Sequence, residues 1–112
     1  MTFLGVPDIP NRGVEDARAA LAGLEGKLSD ALDRRDKIIV ETVRTSDKAA
    51  AGDQNARNSL GPLNKQGKAI DSEIALLRMN ITHARRRLEL ATEHAESARA
   101  KQAFYLQAKG PP

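Results

Sequence analysis

The chain has 112 residues, of which 29% are charged and 3% aromatic, with no Cys, no Trp and a formal net charge of +3. Without Cys there is no disulfide framework, thiolate nucleophile or Cys-ligated zinc site, and no apolar run exceeds about four residues where a membrane span needs about twenty. So few aromatics beside so much charge fit one small domain of long helices with narrow Leu/Ile/Ala seams better than a globular core.

The charge is unevenly placed. Residues 1–50 hold eight basic and nine acidic side chains, residues 51–112 ten and six, so the halves complement each other weakly, as an antiparallel pair would. The first residues lack the basic start and long apolar stretch of a signal peptide. The expectation is a soluble chain, cytoplasmic or part of a virion, and not secreted by a signal peptide.

Residues 1–13 read as an extended N-terminal arm, because Pro7 and Pro10 disfavour the helical region at Val6 and Ile9. Phe3, Leu4, Val6 and Ile9 make this arm apolar, and it is expected either to fray as a disordered terminus or to pack on its own helices or on a neighbour.

The first helix is expected over 14–51. Val14, Ala17, Leu21, Leu24, Leu28 and Ala31 alternate steps of three and four, the a/d spacing of a coiled-coil seam. Arg35 then takes an a position and Ile38 a d position. Leu32, Ile39 and Val43 run one step over, a drift resembling a stutter that relaxes the supercoil. Asp30–Arg34 and Asp33–Lys37 are favourable i,i+4 pairs.

Gly52 is a natural C-terminal stop, and 52–61 is rich enough in turn formers to be read as a connecting loop. Pro62 suits the first turn of a second helix over 62–109, with 110–112 a tail. That helix carries the strongest signal in the chain. Gly67, Ile70, Ile74, Leu77, Ile81, Ala84, Leu88, Ala91, Ala95, Ala98, Gln102 and Tyr105 keep the a/d spacing without a slip.

The fold class is therefore all-α: an antiparallel two-helix hairpin of coiled-coil type, with an extended N-terminal arm, packed into a larger helical bundle or assembly. A turn near residues 55–57 sets facing positions to total about 114. Leu21, Leu24 and Leu28 would then oppose the Ala84–Ala98 segment, and Ile38 and Ile39 would meet Ile74 and Leu77.

The second helix has more apolar surface than one partner helix covers. Leu76, Leu90 and Phe104 fall at c positions beside the seam, and Tyr105 and Leu106 follow. With Phe3 and Leu4 of the arm, these are the expected protein-interface residues. Antiparallel folding would bring Phe3, Phe104 and Tyr105, the only aromatics, to one end, either as a small satellite core that pins the arm or as a docking site.

Arg85, Arg86 and Arg87, with Arg78 above them along the helix, form the densest basic cluster and the candidate nucleic-acid contact. Consecutive helix residues fan out, however, Glu89 is an i,i+4 partner for Arg85, and no aromatics interleave for base stacking. His83 and His94 are eleven residues apart with no acidic i−3 neighbour, so a metal site is not expected. No phosphate loop, nucleophile elbow or paired inward carboxylates are present. No enzyme activity, cofactor, membrane span or small-molecule substrate is expected.

The functional expectation is a non-enzymatic structural or assembly protein, a hairpin subunit of a homo-oligomer or larger complex. Its most concrete version is a component of a bacteriophage virion or other bacterial particle, suggested by the Ala/Arg/Gly/Asp-rich usage of a GC-rich genome. The alternatives are a nucleic-acid-binding or packaging accessory using the Arg85–Arg87 face, and a cytoplasmic export chaperone.

Overall fold

The structure, a computed structural model, describes the backbone of residues 5–108 and the side chains of residues 12–106. Those residues form two helices, α1 (Gly5–Ala50) and α2 (Gln54–Ala108), with no strand among them. The chain is an all-α helical hairpin, as its apolar spacing requires.

The connection is far shorter than the expected loop over 52–61. Only Ala51, Gly52 and Asp53 lie between the two helices. Gly52 has φ of 103°, the left-handed region that glycine enters without strain. Its amide donates to the Ala49 carbonyl at 3.0 Å, and the Asp53 amide donates to the Lys48 carbonyl at 3.1 Å. That double bond pattern is a Schellman C-cap. Arg57 adds to it, donating from Nε to the Ala49 carbonyl at 3.3 Å.

Asp53 then caps the next helix. Its Oδ1 accepts from the Ala56 amide at 3.1 Å, and its carbonyl takes the first helical bond, from the Arg57 amide at 3.2 Å. One residue thus finishes α1 and starts α2. Pro62, expected in the first turn, lies inside α2, where it withholds an amide from the Asn58 carbonyl. Around it the turn formers bond locally: Ser59 Oγ donates to the Asn55 carbonyl at 2.9 Å, and Gln54 Nε2 to Asn58 Oδ1 at 3.1 Å.

The arm expected over 1–13 is also corrected, since α1 runs unbroken from Gly5. Pro7 falls in its first turn, where amides have no intrahelical acceptor anyway. Pro10 costs one interior bond, and the bias it places on Ile9 yields to helix continuity. Phe3, Leu4 and the tail at 110–112 lie outside the described residues, as do the side chains of Val6 and Ile9.

The chain divides into two compact units, one of Leu24–Asn80 and one of Met1–Gly23 with Ile81–Pro112. The first holds the turn and the larger core. Ala31, Ile70, Ile74 and Leu77 are buried there, with Leu24, Leu28, Leu32 and Ile38 packed against them. The place where a Gly67 Cβ would stand is 4.0 Å from Ile38 Cγ2, and Arg34 Nη2 donates to Glu73 Oε2 at 2.7 Å. Facing positions therefore total about 105 rather than 114. The turn is centred on Gly52 instead of residues 55–57, which moves every facing pair by nine. Leu24 and Leu28 accordingly meet the Ile70–Leu77 cluster, not the Ala-rich segment, and Ile38 lies over Gly67.

The expected stutter is absent. Arg35, Ile38, Thr42, Thr45 and Ala49 continue the three-four spacing on the buried side, while Ile39 and Val43 are 50% and 56% exposed. Thr42 can serve in an apolar seam because its hydroxyl donates to the Ile38 carbonyl at 2.7 Å, leaving its methyl for packing. On α2 the seam also extends backwards, with Ala56 and Leu63 buried and Leu60 half-buried.

In the second unit, Ile81, Ala84 and Ala95 are buried and Leu88, Ala91 and Ala98 half-buried. Val14 and Arg18 of α1 line one groove with Thr92, Ala95 and Arg99 of α2. Thr92 repeats the device of Thr42, donating to the Leu88 carbonyl at 2.8 Å. The seam stops at Ala98, because Gln102 and Tyr105 are exposed.

Candidate interaction surface

A helix in a two-stranded coiled coil buries its a and d side chains and leaves b, c and f to solvent. Leu76, at c, is 56% exposed within the unit of Leu24–Asn80. In the other unit Leu90 is 47% and Phe104 72% exposed, with Tyr105 and Leu106 also exposed. Each described member of the expected interface set is thus uncovered by the chain's own helices. Phe3 and Leu4 lie outside the described residues, so the meeting of three aromatics at one end does too.

Sequence reasoning missed part of the surface. Ile39, Val40 and Val43 on α1 and Met79 on α2 are large, apolar and exposed. The missed signal is the unbroken heptad: once Arg35, Thr42 and Thr45 are accepted as seam residues, Ile39 and Val43 have to fall outside it.

The basic cluster is exposed throughout, with Arg78, Arg85, Arg86 and Arg87 at the surface. Arg86 Nη1 donates to Glu89 Oε2 at 3.0 Å, both side chains being 62% exposed. Such a pair contributes at most a few tenths of a kcal/mol to the fold, but it neutralises part of the charge a phosphate would meet. Arg34, expected to pair with Asp30 along α1, reaches Glu73 on α2 instead.

His83 and His94 are exposed, and no group of three or more His, Cys, Asp or Glu among the described residues is placed to hold a metal ion. No described helix is long and apolar enough to cross a membrane. Comparison with protein-family models, curated proteins and solved structures returns no match.

Proposed function

We propose that the chain is a non-enzymatic assembly protein, a helical hairpin that completes its core by packing against other protein subunits. One observation carries this reading. Among the described residues nine large apolar side chains stand exposed on the two helices. Burial of apolar area at about 25 cal/mol per Å² is the main driving force for such association, and these side chains can supply it.

The most concrete version is a subunit of a bacteriophage virion or another bacterial particle, supported by the GC-rich style of the composition. The ion pair of Arg86 with Glu89 argues against a dedicated nucleic-acid face.

Light scattering after size-exclusion chromatography, with melting curves over a hundredfold range of concentration, tests the proposal. Melting should rise with concentration, and Leu90→Asp should reduce assembly. A monomer whose stability ignores both concentration and Leu90→Asp would overturn it.

A further inference from the structure

The side of the hairpin at the e and flanking b positions of both helices is complementary to itself. On α1 it presents Leu32, Asp36 and Ile39, and on α2 it presents Lys68 and Asp71. Ile39, Lys68 and Asp71 line one groove floored by Ile38, Leu63 and Gly67, open where Gly67 has no side chain. All of these residues belong to the unit of Leu24–Asn80.

We infer that this side is the contact surface for a second copy of the chain, forming a four-helix bundle about a two-fold axis. The inference rests on the assembly reading above and names its partner. Since facing positions total about 105, Arg35 lies level with Ile70 and Asp36 with Ala69. The midpoint between Leu32 and Ile39 therefore coincides with that between Arg35 and Asp36, and with that between Lys68 and Asp71. A two-fold axis through this level, at right angles to the helices, lays α1 antiparallel on α1 and α2 antiparallel on α2. It sets Leu32 against the second copy's Ile39 and Lys68 against its Asp71, and each of these matches occurs twice.

An isologous contact needs this self-matching of apolar and opposite-charge positions. The charged members Asp36, Lys68 and Asp71 make no ion pair among the described residues.

Charge exchange at Lys68 and Asp71 tests the geometry, read by sedimentation equilibrium with circular dichroism as the check on folding. Lys68→Asp and Asp71→Lys should each weaken the dimer about tenfold, because each change places like charges together twice. The double variant Lys68→Asp/Asp71→Lys should restore it, and a mixture of the two single variants should pair with each other in preference to themselves. Ile39→Asp should abolish the dimer while keeping helicity. A dimer indifferent to Ile39→Asp and to the single reversals but lost with Leu90→Asp would overturn this contact and leave the assembly proposal standing. Single reversals that weaken the dimer without rescue in the double variant would also overturn it. So would a wild-type chain that stays monomeric.

Discussion

Asp53 serves both helix ends at once. Its amide closes the C-cap of α1, its side chain caps α2 and its carbonyl begins the helical ladder of α2. Asp53→Ala should lose about 1 kcal/mol from the removed cap, seen as a lower urea midpoint with unchanged slope, and Asn should retain most of it. A neutral Asp53→Ala would mean the cap is dispensable. Arg35 sits at the opposite extreme, a cation in a seam otherwise filled by methyl groups. Polar residues at a positions cost stability and fix register, and its unbonded Nε marks where that cost falls.

At the scale of the element, Pro62 separates the two descriptions of the connection. In a loop or at a first helical position, proline is neutral or favourable. Inside α2 it costs a backbone bond, so Pro62→Ala should stabilise the chain by about 1–3 kcal/mol, measured by denaturant melting. A loss of stability would restore the longer loop. The seam from Gly67 to Ala98 was legible in the sequence because the three-four alternation there never breaks and its apolar members have no competing period. The start of α2 was not, because Asn, Ser, Gly and Pro between Asp53 and Pro62 signal turns locally while only Ala56, Leu60 and Leu63 signal helix. Tertiary packing decided in favour of the weaker pattern. The same imbalance hid Thr42 and Thr45, whose residue type says surface and whose spacing says seam. The candidate surface followed the seam: Leu76 and Leu90 could be placed outside it from the start, but Ile39 and Val43 only once the stutter was gone.

For the whole molecule, the proposed assembly would make folding and association parts of one process, and stability would then depend on concentration as well as on contacts within the chain. The tip responds to a different challenge. Proteases cut where several residues can leave their hydrogen bonds and extend into a cleft, and loop tips between helices are the usual place. Here a single residue serves both helices, and Lys48 and Arg57, the nearest trypsin sites on either side, lie inside hydrogen-bonded turns. Brief digestion with trypsin should leave both bonds intact under native conditions, and early cleavage after either would show an open tip. A hairpin closed in this way is not parted into two helices by a cut at its tip unless the end of one of them first unwinds.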